Sequence, residues 1–224
     1  MTLKTKILNL FRVVFQLPGL EGMIRTLASG KSTNSFWAKL VPNNYQYGLN
    51  STRVFTYKGV KLRANIRDYV GHYLYFGFQD EGQEVLLDLA KPGSYVLDIG
   101  TNIGSTLLLF ADKIGEQGKV FGFQPDSENF ENCRYNLSLN NFSNAQVETI
   151  GLGDIAGEFD MVVDTETNRG GNRISTNVGE SLSRKIQVKT LDSWFTAAPV
   201  PSPNQIKLVM RVTAIKVFNE EKGS

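Results

Sequence analysis

The stretch VLDIGTNIGST, Val96 to Thr106, joins an apolar run to a helical one through a turn carrying an acid and two glycines. Asp98 stands at the end of the apolar run, and Gly100 and Gly104 flank the turn. Glycine at both places lets the chain bend sharply and lets a ligand approach the backbone closely. The helix that follows offers free N–H groups and the positive end of its dipole, which suits an anionic group. The spacing departs from the dinucleotide fingerprint G-x-G-x-x-G, because Asn102 fills the second glycine position and no glycine completes the set. A nucleotide-dependent oxidoreductase is disfavoured on that ground. A plain strand-to-helix turn is the structural alternative.

Twenty residues after Gly104, the run KVFGF ends at Gln124. In open parallel sheets the tip of the neighbouring strand holds a ribose, usually through a carboxylate. Here the position is occupied and its charge is absent: an amide oxygen still accepts a hydrogen bond, but without charge assistance. Asp126 follows and is placed to cap the next helix.

The elements that position these residues alternate. SYVLDIG, KVFGF, AQVETIGL and IKLVMRV read as strands; STLLLFADKIG and DSENFENCRYNLSLNN read as helices. Alternation of this kind predicts a parallel sheet with crossover helices. Before it, residues 53–90 read as a hairpin, RVFTYKG and VKLRANI turning at Lys58-Gly59, and then a helix over DEGQEVLLDLA with an acidic start. Residues 1–52 form a helical, then loop-rich, N-terminal extension, and residues 53–224 the main domain, with its core over 91–224.

Composition narrows the classes. The chain has 224 residues, 41% hydrophobic and 21% charged, with a net charge of +2. That is a globular composition, and without a dense Lys/Arg tract it gives no reason to expect a nucleic acid partner. One cysteine, Cys133, and one histidine, His72, exclude a disulfide framework and a Cys- or His-rich metal centre. A single cysteine fits a reducing compartment, so a cytoplasmic location is expected. Sequons at Asn50, Asn136 and Asn141 carry little weight without a secretion signal. The N-terminal stretch MTLKTKILNLFRVVFQLPGL has helical apolar spacing, but Arg12 interrupts the run and no small-residue cleavage site follows, against a signal peptide or a membrane span. It reads as an amphipathic helix docked on its own domain or, as the sharper alternative, one making weak contact with an anionic membrane surface through residues 3–17.

VLDIGTNIGST, VFGFQPDSENFENCRYNLSLNN, GLGDIAG and VKTLDSW, in this order and spacing, resemble successive motifs of the FkbM family of S-adenosylmethionine-dependent methyltransferases; the lead-in YLYFGFQDEGQEVLLDLAKPGSYV is similar too. The resemblance spans about Asp68 to Val209. It implies a class I methyltransferase fold, a Rossmann-like parallel α/β sheet with helices on both faces. It implies S-adenosyl-L-methionine as cofactor and, as acceptor, a hydroxyl of a small natural product or sugar. By the same resemblance Asp98, Gly100, Thr101, Asn102 and Gly104 hold the cofactor's amino acid end, Gln124 replaces the family's ribose-binding glutamate, and Leu152 and Asp154 lie near the adenine. Asp192 falls in the family's Thr-Leu-Asp element, with a helix cap as its alternative. Asp192 and His72 are the candidate bases, and the arginine-bearing loop TNRGGNRIS is a candidate cover for a substrate.

After IKLV the family's acidic and glycine run is missing, and further family strands do not follow before Ser224. The expectation is a sheet incomplete at its carboxyl end. With Gln124, this makes a catalytically inactive, methyltransferase-like binding module the second reading.

Overall fold

Lys58 and Gly59 both take positive φ, 46° and 94°, as a tight two-residue hairpin turn requires. They join β1 (Thr52–Tyr57) to β2 (Val60–Asn65) antiparallel, with Tyr57 opposite Val60, as the sequence predicts. The computed structural model describes residues 3–163, 173–174, 183–197 and 206–211. The proposed cover loop at Thr167–Ser175 lies outside these residues except for its Arg173–Ile174 pair.

The central sheet is parallel, in the order β10 (Ile206–Arg211), β3 (Tyr95–Ile99), β4 (Lys119–Phe123), β5 (Ala145–Glu148). The chain runs outward from β3 through β4 to β5, then returns to place β10 on the other side of β3. The topological switch point of this Rossmann-like α/β sheet therefore lies between β3 and β10, where such sheets bind ligands.

Side chains alternate across the sheet with period two. Val96 and Val120 face α6 (Ser105–Ile114) and α7 (Ser127–Ser138), packing with Leu107, Phe110, Ile114 and Cys133. Leu97, Ile99, Phe121 and Phe123 face the opposite way, onto α8 (Leu191–Ala197). There Trp194 lies edge-on to Phe121 and Phe123 and donates its indole N–H to Glu148 Oε1 at 2.8 Å. Helices thus cover both faces.

Two features depart from the expectation. AQVETIGL is not one strand: the chain leaves the parallel sheet after Glu148 and enters a second sheet at β6 (Gly151–Leu152). That second sheet, in the order β6, β9 (Ser183–Lys189), β7 (Gly157–Val162), β8 (Arg173–Ile174), occupies a region that reads in sequence as a polar connection. The stretch RDYVGHYLYFG forms a helix, α4 (Tyr69–Phe76), with Asp68 capping the amides of Val70 and Gly71; α5 (Glu81–Leu89) follows.

The N-terminal helices α1 (Leu3–Val14), α2 (Pro18–Ala28) and α3 (Phe36–Leu40) precede the hairpin. Ile24, Ala28, Ala38 and Val41 share one core with Phe55, Leu62, Phe76, Ile103 and Leu108, so the lead-in is built into the domain. Buried Glu21 of α2 accepts both nitrogens of an Arg53 fork, at 2.9 and 3.2 Å, and the Tyr75 hydroxyl at 2.8 Å.

The hairpin is held to the sheet by asparagines of the α7 region. Asn136 Oδ1 accepts from Arg63 N at 2.7 Å, and its Nδ2 donates to Arg63 O at 3.2 Å and to Ile103 O at 2.8 Å. One turn on, Asn140 Oδ1 accepts from Lys61 N and its Nδ2 donates to Lys61 O, at 2.9 and 2.8 Å. Two amides four residues apart, one on α7 and one just past its end, thereby supply the backbone partners that a third strand would give β2. Asn136 is fully buried with its amide committed, so its sequon describes an internal staple. Asn136→Ala strands buried backbone groups and is expected to lower unfolding free energy by about 2–4 kcal/mol, against about 1 kcal/mol for the less buried Asn140→Ala. Urea unfolding checks the order; equal small losses would contradict the staple.

Candidate functional site

The turn after β3 is bent by departures to positive φ at three alternate residues: Gly100 at 85°, Asn102 at 53° and Gly104 at 88°. Gly104 has no room for a side chain, since a Cβ there would stand 2.7 Å from Cys133 Sγ on α7. The amides of Gly100 and Thr101 both donate to Phe123 O at the tip of β4, at 2.9 and 3.2 Å. Asn136 grips Ile103 O from the other side. The loop is fixed at both ends, and the first amides of α6 open beside it.

Asp98 lies beneath this loop, at 0% exposure, and among the described residues neither carboxylate oxygen has a hydrogen-bond partner. The Thr101 hydroxyl bonds instead to the Asp98 main-chain oxygen at 2.9 Å. Burial pushes the Asp98 carboxyl up to about 7. A buried carboxylate without a donor is costly. A ligand that brings an ammonium or an N–H to it would relieve that cost, so the residues present fit the amino acid end of a cofactor. Burial also pushes the neighbouring Cys133 thiol up, which keeps it an inert packing residue.

Gln124 is buried at the tip of β4, where the sequence places it. Its amide oxygen accepts from Asp126 N at 3.1 Å, so part of its accepting capacity closes its own turn. Asp126 caps α7 through Asn129 N at 2.8 Å, as expected, and its other oxygen pairs with Arg184 at 3.5 Å.

The remaining predicted residues scatter. Gly100, Thr101 and Asn102 come together along a cleft of about 380 Å³. Leu152 is a core residue packed with Phe121 and Trp194, and Asp154 is exposed after β6. Asp192 is exposed in the first turn of α8; the helix cap is Thr190, whose hydroxyl accepts from Ser193 N at 3.2 Å, so the capping alternative for Asp192 does not hold. His72 is buried among Tyr47, Phe76 and Phe78, and its Nε2 lies 2.7 Å from Pro42 O. A carbonyl only accepts, so Nε2 carries the proton. Burial lowers the imidazole to about 4, leaving it neutral. His72 is a core residue that does not line the cleft, which corrects its reading as a candidate base.

Sequence reasoning missed the opposite wall of that cleft. Tyr69 and Tyr73 of α4, with Asp80 and Gln83 at the start of α5, face Gly100, Asn102, Ser105 and Thr106 across it. Asp80 caps α5 through Oδ1, accepting from Gln83 N at 2.9 Å, and its other oxygen has no hydrogen bond among the described residues. The signal was the punctuation of RDYVGHYLYFG: a capping Asp68 before it and Gly77 after it. A second, more polar cleft of about 490 Å³ lies behind the loop, lined by Arg63, Arg67, Ile103 and Asn129 among others. Among the described residues no group of three His, Cys, Asp or Glu side chains is placed to hold a metal ion.

No protein-family model matches the chain, and no curated protein matches it. Solved structures do. A SAM dependent methyltransferase from Aquifex aeolicus is similar at 26% identity over 34% of this chain, with a TM-score of 0.31. TYW2 from P. horikoshii, in complex with MeSAdo, is similar at 21% identity over 50%, with a TM-score of 0.38. Aeropyrum pernix fibrillarin, with natively bound S-adenosyl-L-methionine, is similar at 19% identity over 49%, with a TM-score of 0.26. The matches span 40%, 40% and 45% of those proteins' own length. The likeness is partial, and the chemistry of the site rests on its own geometry.

Asp98 and His72 oppose each other in pH dependence. The folded Asp98 carboxyl sits near 7 against 3.8 for the free group, so its contribution to stability is fullest in acid and is lost as pH rises through about 7. The folded imidazole sits near 4 against 6.5, so its contribution is fullest above 6.5 and is lost as pH falls toward 4. Asp98→Asn is expected to make stability rise with pH between about 4 and 6.5, and His72→Gln to make it fall between about 4 and 7. Urea midpoints across that range check both signs; unchanged pH profiles in the two variants would contradict the burial argument.

Proposed function

We propose that this chain is an S-adenosylmethionine-dependent methyltransferase of the FkbM type that methylates a hydroxyl group of a small natural product or sugar. The observation that carries the reading is the pinned loop at the switch point, with an unpartnered buried carboxylate beneath it and the motif order beside it. Asp98, Gly100, Thr101, Asn102 and Gly104 would hold the cofactor's amino acid end, and Gln124 its ribose. When bound, the cofactor supplies an activated methyl group on a sulfonium.

The chain's own residues then have three tasks. The loop amides and Asp98 fix the donor's position, which contributes through orientation. Tyr69 and Tyr73 line the opposite wall of the cleft, where a bound donor and acceptor would pack against their rings. Asp80, the carboxylate lining that cleft, takes the proton of the acceptor hydroxyl, a role that neither His72 nor exposed Asp192 is placed to fill.

Gln124 favours the second reading, a binding module without catalysis, because its oxygen is partly engaged by Asp126 N. The two readings separate in a mass-spectrometric methyl-transfer assay against a panel of sugars and hydroxylated small molecules. Activity is expected, reduced roughly 10²–10⁴-fold in Asp80→Asn, which keeps the helix cap, with cofactor affinity unchanged. Gln124→Glu is expected to tighten cofactor binding roughly tenfold. Cofactor binding without transfer to any acceptor would favour the binding module; transfer undiminished in Asp80→Asn would remove Asp80 from the mechanism.

A further inference from the structure

Helix α1 is mounted inside out. Its polar residues face the protein: Asn9 donates to the Tyr45 hydroxyl at 3.0 Å and accepts from Asn43 at 3.0 Å, and Arg12 donates to Lys39 O at 2.7 Å. Gln16, just past the helix, donates to Gln46 O at 3.2 Å. Leu8 is half-buried and Phe15, just past the helix, packs on the core, but the other apolar residues from Ile7 on point outward. Ile7, Leu10, Phe11 and Val14 follow the i, i+3, i+4, i+7 spacing of a single helix face, and all are exposed, Leu10 at 73% and Phe11 at 63%. Leu17 continues the stripe, and Phe36 and Trp37 are exposed on α3, which packs against α1. Single exposed apolar residues need no explanation, but a whole helix face does. The helix does dock on its own domain, and the face it presents there is chiefly its polar one.

Three occupants can cover such a face. Charge selects among them. Residues 1–40 carry Lys4, Lys6, Arg12, Arg25, Lys31 and Lys39 against one acid, Glu21, and that acid is buried in the Arg53 pair. A second copy placed face to face would bring two cationic regions together, and a symmetric dimer offers no acid there to relieve them. An anionic bilayer surface supplies both the apolar layer and the countercharge. Length decides between lying on a membrane and crossing it. The 12 residues of α1 reach about 18 Å, short of a bilayer core of about 30 Å. Among the described residues no single helix is long and apolar enough to cross, and the segments Thr5–Val14 and Pro18–Ala28 meet at 116°.

We propose that α1 and its flanking aromatics dock this protein on an anionic lipid surface, with Ile7, Leu10, Phe11, Val14 and Leu17 entering the headgroup boundary and exposed Lys6, Lys31 and Lys39 supplying the charge that meets lipid. This proposal does not depend on the methyltransferase reading.

Flotation of the full chain with vesicles tests it, using phosphatidylcholine alone and phosphatidylcholine with 30% phosphatidylserine (about 0.1 M salt, where the Debye length is about 10 Å). The expected result is flotation with the anionic vesicles, weakened at about 0.5 M salt, and little with the neutral ones. L10E/F11E is expected to lower the partition coefficient roughly tenfold or more with an unchanged unfolding midpoint, because both side chains are already in solvent. Equal binding to both vesicles would overturn the role of lipid charge. No binding, with a dimer by sedimentation velocity that L10E/F11E dissociates, would assign the face to a second copy. No binding by a monomer would overturn the proposal outright.

Discussion

The loop between β3 and α6 can present a ligand site only because it is gripped from both sides. Asn136 holds Ile103 O from α7, the tip of β4 holds the amides of Gly100 and Thr101, and Gly104 lies so close to Cys133 that no side chain fits. A buried amide with three hydrogen bonds couples the hairpin, the helix and the loop into one unit. Without it the polar ties between the hairpin and the α7 region would fall to Asn140 on Lys61 and Asn132 on Arg63, and the cleft between α4 and the loop would lose a fixed floor.

Against that rigid frame Asp98 stands out. Buried polar groups in folded proteins are nearly always satisfied. Here the loop amides that might have served this carboxylate are spent on Phe123 O, and the nearby hydroxyl is turned to a carbonyl. The fold therefore leaves an acceptor in reserve at the switch point of the sheet. Stability is given up at one place where a ligand can return it, which is how binding sites commonly depart from the rules of the surrounding core.

Much of this was legible in the sequence. The strand-turn-helix at Val96–Thr106, the hairpin turn at Lys58-Gly59 and the cap at Asp126 each rest on local chemistry, and local chemistry survives folding. The second sheet was not legible as such. In SRKIQVK, Ile186 and Val188 are buried between exposed polar and charged neighbours, a period-two signal easily taken for a polar connection. His72 was misplaced because a lone histidine among aromatics reads alike as a lip or as core. Only the contact with Pro42 O, 30 residues away, settles it as core. The orientation of α1 was hidden for the same reason: amphipathic spacing fixes which face is apolar and says nothing of which face meets the protein.

The central claim is that the Asp98 carboxylate and the loop above it receive a cofactor bearing a cationic amine. Calorimetric titration with S-adenosylhomocysteine at pH 7, in two buffers of different ionisation enthalpy, tests it most directly. Saturable binding is predicted, with release of up to about half a proton as the amine draws the Asp98 carboxyl down from its raised value, and with both the proton release and most of the affinity lost in Asp98→Ala. No binding by a chain that circular dichroism shows to be folded, or binding that Asp98→Ala leaves unchanged, would contradict it.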